Sequence, residues 1–425
     1  MSEIHDESRS VAAHLATVLA ETKPLPASSM PLRAAVGLTL ASDVLARVDL
    51  PLWHNSAMDG YAVRASDTSS AGDASPVGLR VIGEVAAGDS ADPALPPGTT
   101  VRIMTGAPMP SAADAVVPVE HTVNDVSGDA WAEHTVDVLS PVAAGAHVRR
   151  RGEDVTAGAC IARAGDQLGA RRIAALAAAG VAEVSVRPRP RVAVIATGAE
   201  LRAAGEPLER GQIPESNSLL VQALLAEDGI EAVSVSVTDD DAVTLGARLR
   251  ELAGEVDAVI TTGGVGPGAH DVVRIALERE PSVHAVRVAV KPGQPQCFGR
   301  LAGGSGSGGG ALMFALPGNP VSAAVSYELF VRPALLRLQG ATRLQRTRVR
   351  AVVERGWRGS PGRLQVLPVR VRGASTGLQC SPAVDPRGYS HAVGGQGGAD
   401  GYALVDVDRG DVAEGESVDV ILVTS

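Results

Sequence analysis

Aromatic side chains are scarce in this chain of 425 residues, at 2% of the composition. Proteins that bind single-stranded nucleic acid use such rings as stacking platforms, so their scarcity argues against that class of partner. The chain also lacks a surplus of positive charge, because its formal net charge is −10. Proteins that bind DNA or RNA usually carry a basic face. Composition therefore predicts no nucleic-acid partner.

Cysteines are few and far apart. Cys160, Cys297 and Cys380 form no CxxC pair and no metal-finger spacing, and we interpret them as reduced packing thiols of a cytosolic protein. No apolar stretch approaches the roughly 20 residues that a membrane span needs. The first residues, MSEIHDESRS, are too acidic and polar for a signal peptide. The sequence thus predicts a cytoplasmic protein with no membrane partner.

Lysine is rarer still, with two residues, Lys23 and Lys291, in a chain rich in arginine. The excess of Ala, Gly, Val and Arg is typical of GC-rich coding, and a lysine kept under that bias is expected to do something that arginine cannot. Lys291 opens the stiff turn Lys291–Pro295 (KPGQP) after an apolar run. An ammonium group on a rigid turn suits an oxyanion, although a solvated turn lysine would give the same pattern.

The hydrophobic pattern changes along the chain. Residues 11–22 place apolar side chains on one helical face, and residues 51–140 carry short β-like runs separated by Pro and Gly. Strand and helix patterns alternate over residues 191–340, which predicts βαβ units and a mostly parallel sheet. A stiff Arg-Pro connector at 187–190 precedes this stretch, and β-like alternation returns over residues 345–425. These patterns predict a multidomain α/β and β fold.

Three elements inside the alternating stretch are predicted in more detail. The run Val283–Val290 is expected to form one strand, and Val321–Leu338 one long helix. The run Gly303–Gly310 (GGSGSGGG) lies between two short predicted strands and is most simply a flexible hairpin loop.

Three loops are expected at one edge of the predicted sheet. They are Thr197–Glu200, Gly263–Gly268 and Leu316–Pro320, and each follows a predicted strand. Ligands bind at the carboxyl ends of the strands in an open α/β sheet, and glycines let the backbone approach a phosphate. An ordinary tight turn would explain any one of these loops alone. Together they favour a phosphate site, although the spacing is neither a Walker A loop nor GxGxxG.

Carboxylates are expected at the same edge. Glu200 and Asp271 follow strands, and so does the run Asp239–Asp241. Carboxylates beside a phosphate site usually hold Mg²⁺, which would neutralise phosphate charge and ready a water for attack on a phosphoanhydride. Helix capping explains at least one residue of the Asp run equally well, and Glu200 alone could be a solvated loop residue.

Polar side chains are also dense in three segments of the first half: Asn55–Ala62, Arg102–Pro108 and Arg149–Asp154. Taken alone, each segment reads as a capped turn or a surface ion-pair cluster. The nine histidines form no HExxH or HxH pattern, and no GxSxG elbow is present. Covalent nucleophilic catalysis is therefore not indicated.

The motifs, in their order, resemble the molybdopterin molybdenumtransferase family, which includes MoeA and the E-domain of gephyrin. The segments that carry the resemblance are Pro51–Arg64 (PLWHNSAMDGYAVR), Arg102–Glu120 (RIMTGAPMPSAADAVVPVE), Arg150–Asp154 with Gly158, Arg191–Leu201 (RVAVIATGAEL), Gly211–Asn217 (GQIPESN), Asp257–Asp271, Lys291–Phe298 and Leu316–Ser322 (LPGNPVS). They span nearly the whole chain.

The resemblance implies an elongated homodimer with four domains per chain. Implied are a discontinuous, helical dimerisation and linker domain I (1–50 plus 140–188), a β-rich cleft-closing domain II (51–139), an α/β domain III (189–340) and a β domain IV (341–425). Domain III is similar to molybdopterin adenylyltransferase, and the active site would lie between it and the partner's second domain. The implied reaction takes adenylated molybdopterin and molybdate, cleaves the adenylate with Mg²⁺, releases AMP and inserts molybdenum. A separate adenylyltransferase would supply the adenylated pterin.

The resemblance also assigns roles to residues. The functional positions carried over are Asp59, Thr105, Asp154, Glu200, Asp240 (or Asp239), Asp271, Lys291, Pro317 and Pro320. The implied Mg²⁺ ligands are Glu200, Asp240 and Asp271. The implied phosphate and pterin contacts are Gly263, Gly264, Gly266, Gly268, Pro317, Gly318, Asn319 and Pro320. Lys291, with Arg149 or Arg151, would attract molybdate, while Asp59 and Thr105 would close the cleft from the other subunit.

The sequence departs from the family pattern at four places. Ala199 replaces Asp or Ser, Gly266 replaces Ser, Gln294 replaces Lys, and the segment Gly388–Asp400 matches poorly. These departures motivate an alternative function, a catalytically weakened paralogue that acts as a molybdopterin-binding scaffold or carrier. A second enzymatic alternative is an adenylyltransferase, against which the first-half motifs argue.

Overall fold

The computed structural model describes residues 8–124, 131–238, 241–266, 271–302, 310–375 and 377–423. Its helices are α1 (Val11–Glu21), α2 (Ala170–Ala178), α3 (Asn217–Glu227), α4 (Ala242–Leu252), α5 (Val272–Leu277), α6 (Pro320–Ser326), α7 (Arg332–Leu338) and α8 (Val393–Gln396). Short 3₁₀ turns cover Leu32–Ala34, Ala65–Thr68 and Val119–His121, and a π-helical turn covers Tyr327–Val331. No helix in this described part of the chain is both long and apolar enough to cross a bilayer.

The N-terminal part is rich in strands, which the sequence predicts for residues 51–139, whereas the helical linker domain expected for residues 1–50 and 140–188 also consists largely of short strands. The strands of the N-terminal part are β1 (Ser28–Pro31), β2 (Thr39–Leu40), β3 (Val44–Leu45), β4 (Asn55–Ser56), β5 (Gly60–Val63), β6 (Val77–Val85), β7 (Thr99–Ile103), β8 (Ala115–Pro118), β9 (Thr122–Asn124), β10 (Thr135–Val138), β11 (Val148–Arg149), β12 (Cys160–Ala162) and β13 (Glu183–Arg187). One sheet has the order β8-β5-β7-β6-β10-β9, and a smaller one has the order β1-β13-β2.

Two separate stretches of chain share the core of the smaller sheet. Leu32 and Leu40 from the first stretch pack with Leu168, Leu176 and Val184 from the second. The larger sheet has its own core on each face. Residues 51–140 therefore fold between the two stretches that complete the smaller sheet.

The middle part of the chain forms the α/β unit. Its strands are β14 (Val192–Thr197), β15 (Leu201–Arg202), β16 (Ile213–Pro214), β17 (Ala232–Thr238), β18 (Ala258–Thr262), β19 (Val283–Arg287), β20 (Val290–Lys291), β21 (Pro295–Arg300) and β22 (Leu312–Leu316). The main sheet has the order β17-β14-β18-β22-β21-β19. The first four strands are mutually parallel and β21 runs antiparallel to them, whereas β19, which is antiparallel to β21, runs in the direction of the first four again.

Both faces of the main sheet are covered. Residues of α4 and α5 pack on one face, and residues of α3, α7 and the π-helical turn pack on the other. Every residue of β14, β18 and β22 is buried. Such double burial explains why these strands read as continuous apolar runs in the sequence. The predicted three-layer α/β unit with a mostly parallel sheet is confirmed.

Two predicted elements in this unit are wrong in detail. The expected strand Val283–Val290 is divided, because β19 ends at Arg287 and the chain then leaves the main sheet to form β20 in the C-terminal sheet. The expected helix Val321–Leu338 is interrupted by the π-helical turn between α6 and α7. The predicted hairpin loop falls largely on residues 303–309, outside the described residues.

The C-terminal part is a small β unit. Its strands are β23 (Arg348–Val353), β24 (Leu364–Ala374), β25 (Gly377–Pro382), β26 (Gly401–Val405) and β27 (Ser417–Leu422). The order is β20-β24-β25-β23-β27-β26, and a further pairing of β24 with β26 closes the ring. Closure removes the exposed edges of the sheet. Strand β20, which ends at Lys291, thus joins this unit to the α/β unit.

Helix α1 packs on the α/β unit, against α7, β21 and the π-helical turn. His14 and Val18 form its buried face. The His14 ring lies edge-on between Phe298 and Phe330, with centroid separations of 6.1 and 4.7 Å. Burial lowers the pKa of His14 to about 4, so this side chain is a neutral packing group at neutral pH.

Candidate active site

The three glycine-containing loops meet at the carboxyl edge of the main sheet. The Gly263 amide donates to the carbonyl of Leu316 over 3.1 Å. A Cβ built on Gly318 would lie 3.3 Å from the Cα of Gly263, and one built on Gly263 would lie 2.6 Å from the carbonyl oxygen of Thr197. Strands β14, β18 and β22 are neighbours in the sheet, and this adjacency brings their following loops together.

Glycine is required at the centre of this contact. Gly263 and Gly264 have φ values of +94° and +61°, which L-residues with a Cβ rarely adopt. A side chain at 263 would also collide with the Thr197 carbonyl. Asn217, at the start of α3, ties a fourth segment to the loops, because its Nδ2 donates to the Gly318 carbonyl over 2.6 Å. Asn217 ends the motif Gly211–Asn217, but nothing in the sequence pattern marks its side chain as a site residue.

Asp271 is held by the loop that precedes it. The Gly266 amide donates to its Oδ1 over 3.0 Å, and Nε of Arg274 donates to the Gly266 carbonyl over 3.2 Å. A Cβ on Gly266 would lie 3.1 Å from Oδ2 of Asp271. Gly266, where the family pattern has serine, therefore contacts the predicted metal ligand directly through its backbone.

The other predicted carboxylates have different surroundings. Glu200 is exposed, and its carboxylate lies against Gly198, where an added Cβ would come within 2.6 Å of Oε2. Asp241 caps α4 by accepting from the amides of Val243 and Thr244, and hydrogen bonds with Thr244 hold the pKa of its carboxyl below the ordinary value. For this member of the Asp run, the capping alternative is the one observed. Asp240 lies outside the described residues, as does Gly268.

The described residues contain no group of three or more His, Cys, Asp or Glu side chains arranged to hold a metal. Two carboxylates, Glu200 and Asp271, follow strands that are neighbours in the sheet. Mg²⁺ is commonly held by one or two carboxylates together with substrate phosphates and water. The oxygen chemistry of these two side chains fits such an ion.

Lys291 lies where the α/β unit meets the C-terminal unit. Its side chain is partly buried, and its Nζ lies 5.8 Å from the centre of the Tyr389 ring. The Tyr389 hydroxyl donates to the Lys291 carbonyl over 3.0 Å. Burial lowers the pKa of Lys291 below its usual range, and the nearby positive charge of Arg363 lowers it further. Two cationic side chains therefore act on the same small region.

The C-terminal segment that follows Tyr389 contacts the third loop. Nδ2 of Asn319 donates to Oγ of Ser390 over 3.2 Å, and the Val321 amide donates to the Ser390 carbonyl over 3.0 Å. No sequence pattern marks Ser390 or Arg363 as a site residue. The segment Gly388–Asp400 gave only a poor match to a pattern, and a single arginine after a Pro-Gly turn carries no distinctive spacing. Only tertiary packing brings them to Lys291 and Asn319.

The first-half candidates form a second cluster, built on the strand-rich N-terminal part. The backbone amide and the hydroxyl of Thr105 both donate to Oδ1 of Asp59, over 2.6 and 2.7 Å. These two hydrogen bonds hold the pKa of the Asp59 carboxyl below its ordinary value. Both residues are exposed, so the pair is fixed in place and open to a ligand.

The arginine-rich segment lies beside the same cluster. Arg149, in β11, pairs with Asn55 of β4. Nε of Arg151 contacts Oδ2 of Asp49 at 2.5 Å, and the Asp154 amide donates to the Leu50 carbonyl. The structure thus holds Arg149, Arg151 and Asp154 against Asn55, Asp49 and Leu50, in the same N-terminal part of the chain as Asp59 and Thr105.

Comparison with known proteins matches successive parts of the chain to three family models. They are the MoeA N-terminal region (domain I and II) over residues 9–180, the "Probable molybdopterin binding domain" over 193–337, and the MoeA C-terminal region (domain IV) over 350–423. Molybdopterin molybdenumtransferase 2 of Mycobacterium tuberculosis is 40% identical over 339 residues, which are 78% of this chain and 80% of that protein. This chain belongs to the molybdopterin molybdenumtransferase family.

Further members of the family agree with this assignment. The molybdopterin molybdenumtransferase of a Nostoc species is 36% identical over 308 residues, covering 72% of this chain and 68% of that protein. The crystal structure of the molybdopterin biosynthesis MoeA protein of Pyrococcus horikoshii superposes with a TM-score of 0.79 at 28% identity, covering 98% of this chain and all of that one. The resemblance inferred from the motifs, and with it the fold class, is confirmed.

Proposed function

We propose that this chain is the transferase of molybdenum cofactor biosynthesis that inserts molybdenum from molybdate into adenylated molybdopterin and releases AMP. The observation that carries the proposal is the meeting of two kinds of site at one sheet edge. Glycine loops that suit phosphate lie on one side, and the Lys291–Arg363 pair that suits an oxyanion lies on the other. Asn319 and Ser390 join the two sides through their hydrogen bond.

The phosphate side is assigned to the loops after β14, β18 and β22. Gly263 and Gly264 allow the positive φ values and the close packing that bring these loops together at the sheet edge. Residues Pro317–Pro320 lead from β22 into α6 and form the third of these loops. These residues would bind and orient the adenylated pterin.

The oxyanion side is assigned to Lys291 with Arg363. Molybdate carries two negative charges. Two neighbouring cations repel each other, and an anion bound between them relieves that repulsion. The lowered pKa of Lys291 reflects that repulsion together with burial. In the proposed homodimer, Arg149 and Arg151 would approach the anion from the partner subunit.

Glu200 and Asp271, with Asp240, are the residues that would hold Mg²⁺. When bound, the ion would supply charge neutralisation at the phosphoanhydride. Asp271 is the better fixed of the two described carboxylates, because the Gly266 amide holds it. The bond to be cleaved joins the adenylate phosphorus to the bridging oxygen of the pterin phosphate. Its cleavage by water yields AMP and the pterin phosphate.

We further propose a cytoplasmic homodimer in which Asp59 and Thr105 of one subunit face the sheet edge of the other. Support comes from the exposure of large apolar side chains near this pair: Leu52 is 46% exposed, Trp53 47% and Met58 38%. A partner subunit would cover them. A separate adenylyltransferase would supply the adenylated substrate.

The scaffold alternative is not favoured. The departures at 199, 266 and 294 leave the Lys291–Arg363 pair and the backbone contact to Asp271 in place. The adenylyltransferase alternative does not account for the N-terminal and C-terminal units, which match families of their own.

A defined reconstitution tests the proposal. Purified protein is mixed with adenylated molybdopterin, molybdate and Mg²⁺, and AMP and active cofactor are measured. We expect AMP release that requires both molybdate and Mg²⁺, with cofactor formed in proportion. The Asp271→Asn variant should release little AMP while keeping its fold. Tight binding of the adenylated pterin without turnover in the unaltered protein would instead support the scaffold alternative.

A further inference from the structure

Tyr389 is an almost fully buried side chain, 1% exposed, at the junction of the α/β and C-terminal units. Its hydroxyl donates to the Lys291 carbonyl over 3.0 Å, and Gln365 pairs with Lys291 across β20 and β24. Gln365 is itself held, because its Oε1 accepts from Trp357 Nε1 and its Nε2 donates to the Arg358 carbonyl. The tyrosine is therefore fixed by a chain of satisfied polar contacts in the C-terminal unit.

The same residue contacts Lys291 in a second way. Nζ of Lys291 lies 5.8 Å from the centre of the Tyr389 ring, which is within the range in which a cation is attracted to an aromatic face. A free lysine side chain samples many rotamers, and an ordered position costs it that freedom. The ring lowers this cost by holding the ammonium group on one side of the site.

The backbone around Lys291 is anchored from the C-terminal unit as well. Lys291 pairs with Gln365 in the parallel register of β20 and β24, and the Leu364 amide donates to the Ala289 carbonyl over 2.8 Å. Ser390, the next residue after Tyr389, binds Asn319 of the third loop. Residues 389 and 390 therefore hold the lysine and the phosphate-side loop in one fixed relation.

We propose that Tyr389 is the positioning residue of Lys291, holding its carbonyl through the hydroxyl and its ammonium group through the ring, so that the ammonium faces an incoming tetrahedral oxyanion. This inference rests on the proposed function for the identity of the oxyanion, and on the geometry alone for the effect of Tyr389 on Lys291. The contributions of the hydroxyl and of the ring can be measured separately, because Tyr389→Phe removes the hydroxyl and keeps the ring, whereas Tyr389→Leu removes both.

The first test is kinetic. In the AMP-release assay, we expect the KM for molybdate to rise about 2- to 10-fold in Tyr389→Phe, as for the loss of one hydrogen bond, and further in Tyr389→Leu. The rate at saturating molybdate should stay within about twofold, since a positioning residue is bypassed when the anion is in excess. An unchanged molybdate KM in both variants, or an equal loss for every substrate, would overturn the proposal.

The second test does not depend on activity. Lys23 and Lys291 are the lysines of the chain, and Lys23 is exposed, so Lys23 serves as an internal reference for amine acetylation read by mass spectrometry. Across a pH series, we expect the limiting acetylation rate of Lys291 relative to Lys23 to rise at least about threefold in Tyr389→Leu, because the ring no longer covers the amine. Tyr389→Phe keeps the ring and should therefore stay close to the unaltered protein.

The two tests separate the possible failures. If the unaltered protein releases no AMP but Lys291 acetylation responds to Tyr389 substitution, the proposed function fails and the positioning role stands. If AMP release is normal but acetylation of Lys291 is the same in all three proteins, the positioning role fails. Thermal unfolding of Tyr389→Phe, which leaves the buried ring in place, shows whether a kinetic change merely reflects loss of fold.

Discussion

In the proposed function, the oxyanion side of the site depends on Lys291. Removing its charge in Lys291→Gln should raise the molybdate KM about 10- to 150-fold, the range expected for a charge-assisted contact of about 1.5–3 kcal/mol. Lys291→Arg keeps the charge but not the compact ammonium group, so its molybdate KM should lie between those of the unaltered protein and Lys291→Gln. Steady-state AMP release over a molybdate series measures both. A KM for Lys291→Gln equal to that of the unaltered protein would remove Lys291 from the anion site.

The lowered pKa of Lys291 predicts a pH dependence with a definite sign. The ammonium form attracts the oxyanion, and it is lost as pH rises through the pKa. Since burial and Arg363 bring this pKa below the ordinary value of 10.5, molybdate affinity should begin to fall at a lower alkaline pH than for an exposed lysine. The pH profile of kcat/KM for molybdate measures this fall. In Lys291→Arg the alkaline fall should move to higher pH, because arginine remains charged.

Some site residues were identified from sequence and others could not be. Glycines and prolines can be recognised in the local sequence, because a left-handed turn at Gly263 or a stiff turn after Lys291 demands particular residue types. No local sequence pattern marks Arg363, Tyr389 or Ser390. Their contacts with Lys291 and Asn319 span roughly 70 residues or more of sequence. Such partners are determined by packing, and single-sequence patterns do not carry that information.

At the scale of elements, the loops after β14, β18 and β22 stabilise one another through close packing. Gly263→Ala should destabilise the protein by about 1–3 kcal/mol, because the residue combines a φ of +94° with a Cβ clash at 2.6 Å. Gly266→Ala is the matched control, since its added Cβ meets only the Asp271 carboxylate at 3.1 Å. Urea unfolding of both variants gives the comparison. Equal stabilities would show that the loops are not in close contact.

The departures from the family pattern lie on these same loops. In the double variant Gly266→Ser with Gln294→Lys, we expect turnover to change by less than about threefold. The Gly266 amide already holds Asp271, and Lys291 already has a cationic neighbour in Arg363. The AMP-release assay on this variant and on the two single variants measures the effect. A gain of tenfold or more would show instead that the unaltered site has decayed.

The elements differ in how far sequence could predict them. Strands β14 and β18 are buried on both faces, so a continuous apolar run sufficed to locate them. The run Val283–Val290 is also β-like, with polar breaks at His284 and Arg287, yet its end turns into another sheet. Whether a strand keeps one partner depends on the surfaces that meet it, here Leu364 and Arg9, whose backbones bind Ala289. The pattern of the run itself does not determine which sheet its end joins.

At the scale of the whole molecule, the two clusters of candidate residues raise the question of how they meet. The hydrogen bonds of Asp59 and Arg151 described above stay within the N-terminal part, while Lys291 and Asp271 belong to the sheet edge. A homodimer with two-fold symmetry would bring the Asp59 of each subunit to the edge of the other, and would create two equivalent sites.

Complementation between two inactive variants tests this arrangement. Asp59→Asn and Lys291→Gln are each expected to have low AMP release at limiting molybdate. When the two chains are co-expressed with different tags, random pairing makes about half of the dimers mixed. One site of each mixed dimer then contains both substituted residues and the other contains neither, so activity should return to about a quarter of that of the unaltered protein. The purified mixed dimer should reach about a half.

The alternative gives a different number from the same experiment. If Asp59 and Lys291 of one chain served the same site, every site in a mixed dimer would contain one substituted residue, and activity would stay at the level of the variants alone. Co-expression of Asp59→Asn with Asp59→Asn carrying the second tag is the matched control for tag effects. Because the outcome depends only on which chain supplies each residue, it distinguishes a shared site from two clusters that never meet.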